Sequence, residues 1–262
     1  MLSPDQMTGL LADLTAPVMA AGEAAMEFHR RGVVARTKSD GSPVSDADEA
    51  AEAILLAALA DIAPDIPVVS EENAVSHAID PPQAFFLVDP IDGTREFLRP
   101  DGNGAFTVNI GLVVEGRPVF GLVHAPARDR FFAGIVGLGA WETSGGETQP
   151  IRVRPVPEGG PLAVASRSHR DPQTNGWLER HGITNTVSTG SSLKFGLLAA
   201  GEADVYPRFG PTMEWDTAAG DAVLRAAGGR VACLNGADFP YGKPEFRNTP
   251  FIAYAGFIGM PA

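Results

Sequence analysis

One cysteine, Cys233, is all that the 262-residue chain contains. A single thiol closes no internal disulfide, so the fold must be held by its core. Cys233 lies in the run Arg230–Leu234, which reads as strand packing, and no histidine motif accompanies it to suggest a nucleophile. Long apolar runs are also missing. None approaches the roughly 20 residues of a membrane-spanning helix, so no stable membrane insertion is expected. The N-terminus, Met1-Leu2-Ser3-Pro4-Asp5, has neither a basic nor an apolar leader segment, and a cytoplasmic protein is expected. Internal repeats and low-complexity tracts are lacking as well.

Positive charge is scarce: 20 Lys and Arg stand against 32 Asp and Glu, leaving −12 at pH 7. A surface of that sign repels duplex nucleic acid, so no nucleic-acid partner is expected. The deficit is uneven. Residues 1–155 carry 22 acids and 11 bases, whereas residues 156–262 carry 10 and 9. The first part therefore suits cations, and the second is free to meet an anion. Most of these acids need do no more than keep the surface hydrated.

What is present has globular proportions, 44% hydrophobic and 20% charged. The spacing of Leu10, Leu14, Val18, Ala21, Ala25 and Phe28 predicts a helix over residues 5–30, stopped at Arg30-Arg31-Gly32. The turn-rich segment Lys38–Pro43 leads to a second helix from Ser45 or Asp46 to about Asp61. Val68-Val69 and residues 84–89 read as strands. Residues 106–115 and 118–124 form a hairpin around Glu115-Gly116-Arg117, with further strands at 130–135 and 140–143. Together they predict an antiparallel sheet between helices.

Residues 154–161, rich in Pro and Gly, mark a boundary between units 1–157 and 158–262. The second unit alternates: strands at 162–165, 186–189, 203–206, 231–234 and 251–255, helices at 171–181, 191–200 and 216–227. The fold class is thus α+β followed by α/β.

The segment Phe85–Thr94 carries the most chemistry. An apolar run ends in Asp89-Pro90-Ile91-Asp92-Gly93-Thr94. Proline has no N–H and resists regular pairing, so the strand is expected to stop there. The turn can aim Asp89, the Ile91 carbonyl and Asp92 at one point, a donor set suited to a hard divalent cation such as Mg²⁺. If Thr94–Leu98 is helical, its free N–H groups, with that of Gly93, face the same point and favour a phosphate.

Glu71 and Glu72 also follow a strand, and adjacent strand positions face opposite ways, so at most one joins that point; Glu71 is favoured. Asp46, Asp48, Glu49 and Glu52 sit in the first turns of a helix, where capping explains most of them. Asp216, in Glu214-Trp215-Asp216-Thr217, is either a helix cap or a further acid for the cluster. Ser191, Lys194, Arg208 and the Ser166–His169 strand end lie where α/β folds gather ligands. Lys194 and Arg208 in particular could hold a second phosphate.

These segments resemble the inositol monophosphatase-like superfamily of Mg²⁺-dependent, lithium-inhibited phosphatases. The resemblance is carried by Asp89–Thr94 and Trp215–Gly220, with Ser70-Glu71-Glu72 upstream. Gly93–Leu98, Phe106–Ile110, Gly190–Phe195 and Tyr206–Thr212 are similar to the 3′(2′),5′-bisphosphate nucleotidase branch, CysQ type; Glu96-Phe97 stands where inositol phosphatases usually have Asn-Phe.

The resemblance implies a layered αβαβα sandwich of the inositol monophosphatase and fructose-1,6-bisphosphatase type. It implies that Glu71, Asp89, the Ile91 carbonyl, Asp92 and Asp216 bind two or three Mg²⁺, and that Asp48, in the match Pro43–Asp48, supports a further cation. Thr94 is implied to help Glu71 position the attacking water. The substrate-binding set expected beside them is Gly93, Thr94, Ser191, Lys194, Arg208 and His169. Ser45 stands where the family often has Thr, and Asp46 adds an acid beside the usual one, which leaves open whether Asp46 or Asp48 serves the outer metal.

The implied reaction is hydrolysis of adenosine 3′,5′-bisphosphate to AMP and phosphate. Rivals are inositol monophosphatase activity, fructose-1,6-bisphosphatase activity and a non-catalytic metal or nucleotide sensor; 3′-phosphoadenylyl sulfate is an alternative substrate. Monomers, homodimers and loose attachment to the inner membrane surface all occur among such relatives.

Overall fold

The computed structural model describes residues 2–32, 36–37, 43–98, 104–166 and 171–256. Helix α1, Pro4–Arg31, starts at a reciprocal cap: Gln6 N donates to Ser3 Oγ at 3.2 Å and Ser3 N donates to the Gln6 side chain at 2.8 Å. Two short strands, β1 (Arg36–Thr37) and β2 (Pro43–Val44), pair antiparallel before helix α2, Asp46–Ile62. The residues between those strands, 38–42, lie outside the described residues.

Seven strands follow in one sheet: β3 (Val68–Ser70), β4 (Ala84–Asp92), β5 (Thr107–Val114), β6 (Arg117–Ala125), β7 (Arg130–Ile135), β8 (Gly139–Ser144) and β9 (Glu147–Ile151), in that spatial order. A one-turn helix, α3 (Thr94–Phe97), sits between β4 and β5. All pairs are antiparallel except β3–β4, which is parallel. The sheet is antiparallel as expected except at that edge, where the chain passes through a 3₁₀ turn at Ala74–Ala78 between β3 and β4.

One correction concerns Pro90. Strand β4 does not end at Asp89 but continues to Asp92, with Asp89 paired to Asn109 and Asp92 to Thr107. The register shifts between them, so Pro90 and Ile91 form a bulge. A bulge tolerates the missing N–H and re-aims neighbouring side chains.

The second sheet has the order β11-β10-β12-β14-β13, built from β10 (Ala163–Ser166), β11 (Thr186–Thr189), β12 (Val205–Arg208), β13 (Arg230–Cys233) and β14 (Phe251–Tyr254). Helices α4 (Pro172–Arg180), α5 (Leu193–Ala199) and α6 (Ala218–Ala226) complete it. Strand β12 lies two residues later than the expected 203–206. Pro207 lies within it, paired with Ile252 of β14.

Alternation along β4 divides the core. Phe86 and Val88 pack with α1 and α2, through Leu14, Val18, Leu55 and Leu59. Phe85 and Leu87 face the other way, into a core with Phe195, Leu198, Val223 and Phe251 that α5 and α6 fill between the sheets. Outside the second sheet, Trp177, Leu178 and Ile183 cover Ala163, Val205 and Ile252. Helix, sheet, helix, sheet, helix is the layered αβαβα sandwich. No helix among the described residues is long and apolar enough to cross a membrane.

One contact between the layers governs where Asp216 can lie. Gly111, Gly121 and Gly134 are cross-strand partners on β5, β6 and β7. A Cβ on Gly121 would lie 2.1 Å from the Ala219 carbonyl oxygen, and one on Gly134 would lie 2.5 Å from the Val223 Cα. This row of missing side chains lets α6 lie directly on the sheet backbone, and α6 follows the loop that carries Asp216.

Candidate active site

Two strand ends and one loop bring acids to a cleft of about 270 Å³ between the two sheets. Glu71 follows β3, Asp89 and Asp92 flank the bulge in β4, and Asp216 precedes α6. Carboxylate oxygens of Glu71, Asp89 and Asp216 lie within 4.8 Å of one another. Of the two glutamates after β3, Glu71 lines the cleft and Glu72 does not.

The bulge directs the acids. Ile91 N donates to Asp89 Oδ1 at 3.1 Å, which leaves Asp89 Oδ2 buried without a hydrogen-bond partner. An orphaned buried carboxylate oxygen is costly unless a cation meets it. Ser192 N donates to Asp92 Oδ2 at 2.5 Å, and Ser192 Oγ lies 2.7 Å from the same oxygen and 2.6 Å from the Asp216 carbonyl oxygen. Asp216 is not a helix cap: its Oδ2 accepts from Met213 N at 2.9 Å, while Thr217 occupies the cap position of α6.

Burial pushes Asp89 well up from its ordinary range, and the charges of Glu71, Asp92 and Asp216 push it further. Asp216 is raised in the same way, by burial and then by Asp92 and Glu71. Asp92 is also raised by burial, against the pull of Lys194 and Ser192. Mutual repulsion of this kind is relieved when a divalent ion sits among the carboxylates. The donors are all oxygen, which fits a hard cation.

The other side of the cleft is basic. Lys194 and Arg208 line it with Ser191, Tyr206, Pro211 and Thr212. Lys194 Nζ donates to the Ser191 carbonyl at 2.5 Å. Burial brings its ammonium down to about 8, Asp92 holds it up, and Arg208 lowers it further. Arg208 Nη2 donates to the Pro211 carbonyl at 2.9 Å, but its buried Nε has no partner. Gly93, in the left-handed region at φ 90°, turns the chain into α3, and Thr94 Oγ1 donates to the Ile91 carbonyl at 3.1 Å.

Two candidates from the sequence sit elsewhere. Asp48 is buried at the start of α2, where its Oδ2 accepts from Ser45 N at 2.8 Å and Ser45 Oγ at 2.7 Å. It completes a helix cap and does not line the cleft. Asp46 points to solvent and pairs with Arg36 at 2.9 Å. His169, with Arg167 and Ser168, lies outside the described residues. Sequence reasoning misses Ser192 and Tyr206 as members of the site. Both stand inside segments that carry the family resemblance, but nothing in a serine or tyrosine letter shows its partner.

The chain matches the inositol monophosphatase family over residues 6–254. It is 43% identical over 242 residues to the 3′(2′),5′-bisphosphate nucleotidase CysQ of Shigella flexneri, covering 88% of this chain and 94% of that one. The same enzyme of Aggregatibacter actinomycetemcomitans is 33% identical over 254 residues, covering 95% and 94% of the two chains. Among solved structures, CysQ from Bacteroides thetaiotaomicron superposes with a TM-score of 0.79 at 34% identity, covering 95% of this chain and 97% of that one. An inositol monophosphatase from Anabaena gives 0.73 at 26% identity, with 96% and 92% covered. With the fold and the family match both spanning nearly its whole length, the chain belongs to the inositol monophosphatase family.

Proposed function

We propose that this chain is a Mg²⁺-dependent phosphomonoesterase, a 3′(2′),5′-bisphosphate nucleotidase that converts adenosine 3′,5′-bisphosphate and water to AMP and phosphate. The observation that carries this reading is the two-sided cleft. Four carboxylates crowd one end, with a buried oxygen of Asp89 left unpaired, and Lys194 and Arg208 stand at the other. An acid-only site would suit a phosphomonoester and its cations; the added basic side suits a substrate with a second phosphate. The nucleotidases named above are 33–43% identical to this chain, and the solved one among them shares its fold.

Glu71, Asp89, Asp92, Asp216 and the Ile91 carbonyl would hold the cations. Bound there, divalent ions supply charge neutralisation for the phosphoryl oxygens and a lowered pKa for water. The residues of the chain do the rest. Thr94 Oγ1 gives its own proton to the Ile91 carbonyl, so it presents lone pairs to the cleft and can accept from the attacking water. Glu71 is the base beside it. Gly93 and Thr94 border the position of the scissile phosphate, and Ser191, Lys194 and Arg208 that of the other. The water oxygen forms the new P–O bond, the 3′ ester P–O bond breaks, and the leaving oxygen takes up a proton. No cysteine or histidine lines the cleft among the described residues, and no covalent nucleophile is needed. Residues 1–157 and 158–262 are taken as two units that share the cleft, in an enzyme of the cytoplasm.

The test is phosphate release from purified protein in Mg²⁺, comparing adenosine 3′,5′-bisphosphate, 3′-phosphoadenylyl sulfate, inositol 1-phosphate and fructose 1,6-bisphosphate. The reading predicts the highest kcat/KM for a 3′-phosphorylated nucleotide. A clear preference for inositol 1-phosphate or fructose 1,6-bisphosphate overturns the substrate assignment, and no Mg²⁺-dependent release from any of them overturns the enzyme.

A further inference from the structure

Two of the crowded carboxylates reach the cleft from opposite halves of the chain, and the residues just before them are joined by one ring. His77, in the 3₁₀ turn Ala74–Ala78, places Nε2 2.7 Å from the Ser70 carbonyl oxygen. A carbonyl only accepts, so Nε2 carries the proton. The same ring stacks on Trp215, with centroids 4.7 Å apart and planes at 21°. Ser70 directly precedes Glu71, and Trp215 directly precedes Asp216.

We propose that His77 is a positioning residue that sets the separation of Glu71 and Asp216. The inference rests on the reading that those two side chains share a divalent ion. Like charges within 4.8 Å repel, so the segments that bear them need a tie that does not involve the carboxylates. The turn holding His77 is itself pinned to β3. Ser70 N donates to Ser76 Oγ at 3.0 Å, and that hydroxyl is 2.6 Å from the Asn73 carbonyl oxygen. Trp215 is buried, so the face His77 stacks on is fixed by packing. The ring therefore bridges a pinned turn of the first sheet to a fixed side chain of the loop before α6. The ring meets the Ser70 carbonyl on one side and Trp215 on the other, and the effect proposed for it on the ion is one of distance.

Three variants separate the two contacts. His77→Phe keeps a ring against Trp215 and loses the donor. His77→Gln keeps a donor and loses the ring. His77→Ala loses both. Mn²⁺ binding to the substrate-free protein is measured by titration calorimetry, together with the metal-free Tm and the Mg²⁺ concentration for half-maximal phosphate release.

His77→Ala is expected to weaken Mn²⁺ binding and raise the Mg²⁺ requirement by about ten-fold, the lower end of what loss of an outer support does to a metal site. The Phe and Gln variants should fall between it and wild type. The kcat at saturating Mg²⁺ should return to near the wild-type value, which a general loss of structure would not allow.

Wild-type metal affinity in His77→Ala overturns the proposal. So does a loss of affinity matched by loss of active protein at saturating metal. If His77→Ala does not fold, the other two decide: both at wild-type affinity also overturns it. A wild-type protein that takes up no Mn²⁺ is a different failure, since it removes the shared ion itself and this inference with it.

Discussion

Ser192 holds Asp92 from two sides. Its backbone N–H donates to Asp92 Oδ2 at 2.5 Å, its hydroxyl lies 2.7 Å from the same atom, and that hydroxyl is also 2.6 Å from the Asp216 carbonyl oxygen. One residue at the start of α5 thus joins an acid of the first sheet to the backbone of a loop belonging to the second. Removing the hydroxyl with Ser192→Ala leaves the N–H in place. A hydrogen bond to a charged group contributes about 1.5–3 kcal/mol, so kcat/KM should fall by about ten-fold or more, with the N–H contact to Asp92 and the fold retained. Steady-state phosphate release and thermal melting check this together.

Asp92→Asn should be far more damaging. The amide keeps the shape and can still accept from Ser192, but it removes the charge that a cation needs. Turnover should fall at least roughly a hundred-fold, while Tm stays close to wild type or rises, because burial already disfavours that charge. Near-wild-type activity in Mg²⁺ would mean that Asp92 is not a ligand.

Lys194→Ala and Arg208→Ala should each cost a bisphosphate substrate more than a monophosphate, by about ten-fold in relative kcat/KM. Equal losses on both would remove them from a second phosphate site. A pH signature accompanies this. With the Lys194 ammonium at about 8, the folded chain releases a proton between that value and the ordinary 10.5, where the unfolded chain still holds it. Stability from this group therefore rises with pH across that window. Affinity for the second phosphate moves oppositely, and KM for the bisphosphate should climb above about pH 8 in wild type but not in Lys194→Ala.

Asp89 and Asp216 carry the reverse sign. Both are raised above 3.8 in the folded chain, by burial first. Above that value the fold binds protons that the unfolded chain has released, so the metal-free protein loses stability as pH rises through their folded range. A divalent ion displaces those protons. The gap in Tm between Mg²⁺-loaded and EDTA-treated protein should widen as the pH rises above 3.8 through the raised range of these two acids. A gap independent of pH would separate these acids from the ion.

Gly121→Ala tests the seat of α6. Its Cβ would meet the Ala219 carbonyl oxygen at 2.1 Å, and backbone cannot swing aside as a side chain can. The expected cost is about 1–3 kcal/mol of stability, with a raised Mg²⁺ requirement because α6 carries the loop of Asp216. Gly9→Ala in α1 meets nothing within 4 Å and should be neutral or stabilising.

Regular patterns were the legible part of the fold. Apolar spacing located α1 to within a residue at each end, 5–30 against Pro4–Arg31. Strand β9 went unread because four of its five residues face solvent, so no alternation marks it. Pro90 misled: it suggested a strand stop, yet it lies inside β4, in a bulge.

Within the cleft, Glu71, Asp89 and Asp92 stood out as candidates because acids placed directly after apolar runs are unusual, whereas Asp216 follows no such run and read equally as a helix cap. Asp48 shows the limit of that reasoning. Capping was expected for most of the acids at that helix start, and the Ser45 contacts single out Asp48 as the one that makes it. The ties between segments, Ser192 to Asp92 and His77 to Trp215, depend on distances that no spacing along the chain encodes.

The strand that delivers Glu71 is three residues long and is the outermost of its sheet, paired with β4 alone. Such a margin opens locally at far lower cost than the interior strands, and its amides should exchange with solvent first. Ion capture would then act as a clasp on the rim. The free energy of loading would add to the work of fraying, so occupancy and edge rigidity would rise together.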